Sequence, residues 1–465
     1  MFGVASTTVD LARLQFATTS IYHFLFVPLT LGLGPLVAIM QTLWLRSKDE
    51  RWLRLTHFFG TLLLINIAIA VATGLVQEFQ FGMNWSVYSK FVGNVFGAPL
   101  AIEGLAAFFV ESTFLGLWIF GWDRLSPRIH LATLWVVVLA SWASGYFILV
   151  ANSWMQHPVG YKIVNGQAQL TSVWALLSNN FALRAFVHTM LAGLIFGSVV
   201  MLGICCWHFL RRNEVDLFRK AAKLALIVAV PVTLLQLVVG NRFGEAVTSA
   251  QSMKIAASEA QWNTCQPCSF SLFQIGGFTK QDETPSFSIT VPRVLSYMAT
   301  GSFDGQVQGL NQLQRQEERQ YGRGVNYMPN IEVIYWSMRV MAYMGLLMFA
   351  VAAVGAWLYW RQKLERARWF HRTALVAIAF PFIAATAGWI LTEMGRQPWI
   401  VQGLLLTSQA HSPAVGTTWL GISLGFFVAL YVLLGVVDFV LMRRYARPTG
   451  APPQPTTDQA AVVTY

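Results

Sequence analysis

A chain of 465 residues with 55% apolar, 14% aromatic and only 11% charged residues is too apolar for a soluble globular fold. Apolar runs long enough to cross a hydrocarbon core of about 30 Å recur from end to end, which excludes a soluble enzyme on a single anchor. The net charge of +11 would suit a nucleic-acid partner, but the basic residues sit in short segments between apolar runs, and that excludes nucleic acid and marks a polytopic membrane protein.

The fold class expected is all-α, a bundle of nine spans at roughly 16–42, 56–80, 97–122, 130–152, 183–209, 222–241, 332–360, 373–394 and 415–441. The first fifteen residues lack a basic start followed by a short apolar core, so no cleavable signal peptide is expected. Alternate connections carry the positive charge, from Arg46, Lys48, Arg51 and Arg54 through Arg211 and Lys223 to Arg443 and Arg447. The positive-inside rule therefore places the N-terminus outside and the C-terminus in the cytoplasm. Residues 1–447 form one membrane domain, and the outer connection from 242 to 331 is longer than a connector needs to be. Within it Ala246 to Trp262 reads as a helix, and Asn311 to Gln320 is a polar run. The tail, 448–465, is rich in Pro, Thr and Ala and is expected to be disordered.

Cys205 and Cys206, at the inner end of the fifth span, are expected to be reduced packing residues. Cys265 and Cys268 lie in the long outer loop, where an oxidising compartment favours a disulfide and a zinc site lacks two further ligands. Ser269 stands where a c-type haem site needs histidine.

Ionisable groups inside the spans are few: His23, Glu78, Glu103, Glu111, Arg184, His188, Arg339 and Glu393, most of them in the outer half. A lone membrane histidine is ordinarily a hydrogen-bonded packing residue. Here His23, His188 and Met341 fall at similar depth on three spans, and a histidine facing a thioether suits the axial positions of a six-coordinate haem, with Arg339 placed to neutralise a propionate. Glu103 and Glu111 are eight residues, about 12 Å, apart along one helix and share roughly one face, which suits proton transfer through water and leaves one of them free to ligate a metal. Glu393 closes the eighth span beside Arg396, Pro398 and Trp399, and an acid there needs a partner.

Four blocks carry a resemblance over nearly the whole chain: Arg13 through Tyr22-His23-Phe24 to Thr30, Gly97 through Glu103 and Glu111 to Phe114, Trp336-Ser337-Met338-Arg339-Val340-Met341, and Glu393-Met394-Gly395-Arg396-Gln397-Pro398-Trp399. Together they resemble the large subunit of the cytochrome bd quinol oxidases. The resemblance implies that His188 and Met341 hold a low-spin haem b558. It places His23, Glu103 and Glu393 around the high-spin haems b595 and d without saying which residue serves which iron. It also implies Glu111 on a proton route, Arg339, Trp389, Arg396 and Trp399 around the haems, and Lys254 and Glu259 at a quinol site in a short outer Q-loop. Further implications are reduction of O2 to water, a proton gradient built without pumping, a second related subunit with small single-span additions, and a bacterial cytoplasmic membrane. The paired histidines of a haem-copper site and the fourteen-residue histidine spacing of a bc-type cytochrome b are absent from the sequence. The remaining alternative is a transporter that couples protons to intramembrane carboxylates.

Overall fold

The structure is a computed structural model that describes residues 2–447, with side chains from residue 7 onward. The tail expected to be disordered lies outside the described residues. Among the described residues nine helices are long and apolar enough to span: Thr7–Ser47, Glu50–Asn84, Ser86–Phe120, Pro127–Gln156, Val173–Arg211, Val215–Ala250, Ile331–Trp360, Arg368–Met394 and Thr417–Tyr445. Most run past the expected limits, because a helix that has left the hydrocarbon can continue through polar residues whose side chains reach water. The third starts eleven residues early, through Lys90 and Asn94, immediately after a break at Trp85.

Local chemistry sets several ends. Asp49, Asn179 and Asn330 accept hydrogen bonds from the main-chain N–H groups of Arg51, Phe181 and Val333, capping the second span, the long helix Asn180–Arg211 within the fifth, and the seventh span. The first and fifth spans cross in backbone contact: a Cβ on Gly32 would fall 1.7 Å from the Gly193 carbonyl oxygen, and one on Gly197 would lie 2.5 Å from the Gly32 carbonyl carbon. Only glycines allow that approach, and small residues four apart are a general means of packing membrane helices. Around the crossing Leu33, Leu36, Leu62, Phe196 and Leu202 form the bundle core. His130 is bound on both ring nitrogens, to Gln41 at 2.8 Å and to the Trp118 carbonyl at 2.8 Å, and is a satisfied structural histidine.

The connections are more ordered than their composition suggests. Tyr161–Val164 pairs antiparallel with Gln167–Leu170 through an Asn165-Gly166 turn, both residues at positive φ. In the long outer connection the sixth span continues to Ala250, the chain breaks at Gln251, and a short helix, Ser252–Ser258, follows. The single helix expected from Ala246 to Trp262 is thus two. A hairpin of Phe270–Gly276 with Pro285–Val291 and helices Val294–Thr300 and Leu310–Tyr321 complete the loop. The polar run forms a helix because Leu310 and Leu313, three apart, are buried on one face while Arg315, Gln316, Arg319 and Gln320 face water. Cys265 and Cys268 are joined by a disulfide, and Cys205 and Cys206 are free and buried.

Candidate functional site

The third span widens into a π-helical segment, Glu103–Phe108, at its first acid. In a regular helix two residues eight apart stand about 80° out of line. A segment with more residues per turn takes up part of that rotation and brings Glu103 and Glu111 closer to one face. Both are met from the fourth span: the Ser144 hydroxyl donates to Glu103 at 2.6 Å, and the Ser141 hydroxyl donates to Glu111 at 2.7 Å. Ser141 and Ser144, three apart, lie on the same side of their helix.

These acids face a cavity of about 960 Å³, whose wall also includes His23, Trp389, Glu393 and Arg396. The His23 ring is within 2.9 Å of the Thr73 hydroxyl and lies against Gly74, where an added Cβ would come within 3.1 Å of it. Trp389 packs edge-on against Phe24 at 4.8 Å. Glu393 accepts from Asn152 at 2.9 Å and from Gln156 at 3.4 Å, and is ion-paired with Arg396. Arg396 is itself buried, and two of its guanidinium nitrogens, Nε and Nη1, have no protein partner.

A cavity of this size is at the upper end of ordinary ligand sites, and its wall is mainly apolar with a few converging polar groups. Among the described residues no three His, Cys, Asp or Glu side chains converge on a point. A large planar apolar cofactor bearing carboxylates fits: His23, Glu103 and Glu393 are available to an iron, and the unpartnered Arg396 nitrogens to an anionic substituent.

His188 and Met341 are not in the wall of this cavity. The His188 ring takes hydrogen bonds with Gln236 at 3.2 and 3.3 Å and lies near Gly240, whose added Cβ would sit 3.6 Å from it. The Met341 sulfur is 3.0 Å from where a Cβ on Gly388 would be. Each thus packs directly on a glycine of a neighbouring span.

The outer loop brings its two candidates into separate buried settings. Lys254 donates to Gln156 at 2.7 Å and packs on Gly395, where an added Cβ would lie 2.7 Å from its Cγ. Burial first and the neighbouring Arg396 charge second lower its pKa to about 7, against the opposing pull of Glu393. Glu259 is ion-paired with Arg339 at 2.8 Å, yet burial outweighs that cation and raises its carboxyl to about 7. Arg339 is fully buried, stacks on Tyr335 at 3.5 Å, and donates to the Ser271 and Ser258 carbonyls. Its guanidinium thus binds groups of the loop. Trp399 packs on the loop too: it stacks on Tyr327 at 5.5 Å and donates to Glu317 at 3.1 Å.

Two residues that sequence reasoning passed over connect these parts. Gln156 accepts from Lys254 and donates to both Asn152 and Glu393, so one hydrogen-bonded chain runs from the loop lysine to the cavity carboxylate. Amides at the end of an apolar span carry no signal of that role, because only the fold shows what they join.

The chain is 44% identical over 435 residues to the cytochrome bd ubiquinol oxidase subunit 1 of Bacillus subtilis, covering 93% of this chain and 92% of that one. It is 36% identical to the cytochrome bd-II ubiquinol oxidase subunit 1 of Escherichia coli, covering 94% and 96%. The bd oxidase structure from Geobacillus thermodenitrificans superimposes with a TM-score of 0.85 at 26% identity, covering 94% of this chain and 98% of that chain. The family model described as cytochrome bd terminal oxidase subunit I matches residues 11–449, and the chain belongs to that family.

Proposed function

We propose that this chain is the quinol-oxidising, haem-bearing subunit of a terminal oxidase, taking electrons from a membrane quinol and delivering them to O2. The family and the relatives support the activity. The observation that carries the site is the hydrogen-bonded chain Lys254–Gln156–Glu393–Arg396, which joins a loop lysine to a cavity of cofactor size.

In this reading His188 and Met341 hold haem b558, and His23, Glu103 and Glu393 stand around haems b595 and d. Bound there, the haems supply the one-electron steps between a two-electron quinol and a four-electron reduction of O2 to water. The protein's own groups handle position and protons. Lys254 donates a hydrogen bond to the quinol head group, and Glu259, whose carboxyl titrates at about 7, accepts a proton from it. Arg339 keeps Glu259 in place. Glu111 and Glu103, each held by a serine hydroxyl, store and pass protons toward the cavity. With quinol protons released outside and consumed protons drawn from the cytoplasm, turnover charges the membrane without a pump. The positive-inside pattern supports a multi-pass place in the bacterial cytoplasmic membrane with the N-terminus outside. A second subunit completes the complex, and small single-span subunits join it.

The purified complex should show low-spin b-type and chlorin absorption, become reduced by quinol and consume oxygen. A colourless complex, or one that quinol fails to reduce, would sink the proposal.

A further inference from the structure

The contact between the first, second and ninth spans holds polar groups that this function leaves unused. Asp438 is a carboxylate within the ninth span, about 10 Å along the axis from the span's end at Tyr445, whose last turn carries Arg443 and Arg444. Tyr431, Gly435 and Asp438 are spaced i, i+4, i+7 and share one helix face. The Tyr22 hydroxyl lies over Gly435, where an added Cβ would come within 2.9 Å of it. The Tyr22 ring stacks on Tyr431 at 4.4 Å. The Gln77 side chain lies beside the Tyr431 hydroxyl and accepts from Ser20 at 2.9 Å. Ser20 and Gln77 are both in the wall of the cavity. Polar side chains therefore line this contact from Asp438 to the cavity.

Four atoms of this seam, the Tyr22 and Tyr431 hydroxyls, the Gln77 amide nitrogen and one Asp438 oxygen, are buried without a hydrogen bond of normal geometry to protein. Buried polar atoms in native proteins are nearly always satisfied, and an acid in the membrane is costly. At the next level of the same contact Ser423, Gln15 and Gln80 bond one another directly, at 2.6 and 3.0 Å. The unsatisfied atoms of the Asp438 seam are sites for bridging water.

We propose that this seam is a water-threaded proton route, with Asp438 as its entry carboxyl, leading from the basic end of the ninth span to the cavity. It rests on the oxidase reading, in which oxygen reduction at the cavity consumes protons. Asp438 gives its proton to a water of the seam, that water releases one of its own along the bridging waters toward Ser20 and the cavity, and Asp438 is reprotonated from the aqueous side. No electron moves in these steps.

The test uses the whole complex, mixed with oxygen after full reduction, with a pH-indicating dye reading proton uptake beside the haem absorption. Asp438→Asn should slow proton uptake by about 100-fold or more with the haem spectrum and melting temperature unchanged, since a positioned proton carrier contributes about that much. Asp438→Glu should restore most of the rate, and Tyr22→Phe, which keeps the ring stack, should slow uptake in the same direction. Wild-type uptake in Asp438→Asn overturns the route while leaving the oxidase reading standing. So does slowing that tracks lost haem and is not rescued by glutamate. If Asp438→Asn does not assemble, Tyr22→Phe decides, and unchanged uptake there overturns the proposal.

Discussion

Replacing Arg339 with leucine removes the cation that holds Glu259 while nearly preserving the volume of its aliphatic stem. The pair is fully buried, with nitrogen and oxygen 2.8 Å apart. Charge centres about 4 Å apart at an effective dielectric of about 20 attract by about 4 kcal/mol, equivalent to about 3 pH units of titration at about 1.36 kcal/mol each. With Arg339 present the Glu259 carboxyl already titrates at about 7, above its ordinary 4.5, because burial outweighs the pair. A carboxyl raised in this way binds its proton more tightly in the folded state. Its contribution to stability is therefore full below about pH 4.5 and is lost as pH rises through 7. Its capacity to accept a quinol proton has the opposite sense, growing as pH rises through 7. Arg339→Leu should thus move the acidic limb of quinol oxidation from about pH 7 upward, by up to about 3 units, and weaken the fold by roughly 3–5 kcal/mol if Glu259 stays ionised. The assay is oxygen uptake against pH with a saturating quinol, beside the haem spectrum of the same sample. An acidic limb that stays at pH 7 in an Arg339→Leu complex with intact haems would refute the link between this pair and quinol oxidation.

Other outcomes follow from the same contacts. Lys254→Ala and Glu259→Ala should each lower quinol turnover about 10²-fold or more while haem content stays normal, and unchanged turnover in both would remove the quinol site from this loop. Gln156→Leu should leave Lys254 buried without its acceptor, costing about 1–3 kcal/mol and raising the KM for quinol by about tenfold or more; an unaltered KM would count against the chain to Glu393. Glu393→Ala should strip high-spin haem and spare the low-spin signal, read in the reduced-minus-oxidised spectrum. Gly388→Val would force branched carbons onto the Met341 sulfur, already 3.0 Å from a single Cβ. The low-spin band should weaken, and a normal band would argue against a haem beside Met341.

Much of the architecture is legible in the residues because the bilayer imposes so few solutions. Apolar length marks the nine spans, and arginines and lysines mark alternate connections. His23, Glu103, Glu111 and Glu393 stand out for the same reason, since a titratable group in an apolar span is expensive. The loops follow other rules. Asn165-Gly166 is a hairpin signal in plain sight between two four-residue strands, hidden only by the surrounding apolar runs. The partner of Arg339 was not readable, because Glu259 is eighty residues away and is brought to it by folding of the outer loop. Trp399 likewise sits six residues from Glu393 but, beyond the turn that begins at Gly395, packs with Tyr321 and Tyr327 on the loop side. Asp438 is the instructive omission: it is an acid within an apolar span, as visible as Glu393, but without a neighbouring motif to draw notice to it.

The bonds from Lys254 through Gln156 to Glu393 have a consequence beyond holding side chains still. A single amide contacts both ends, so any ligand that reorients it at one end changes the energy of occupying the other. Thermodynamic reciprocity then requires the effect to be equal in both directions. A head-group analogue seated at Lys254 should alter the affinity of the cavity for a diatomic ligand such as carbon monoxide, and carbon monoxide should alter the affinity for the analogue by the same factor. Gln156→Leu should bring that factor to one.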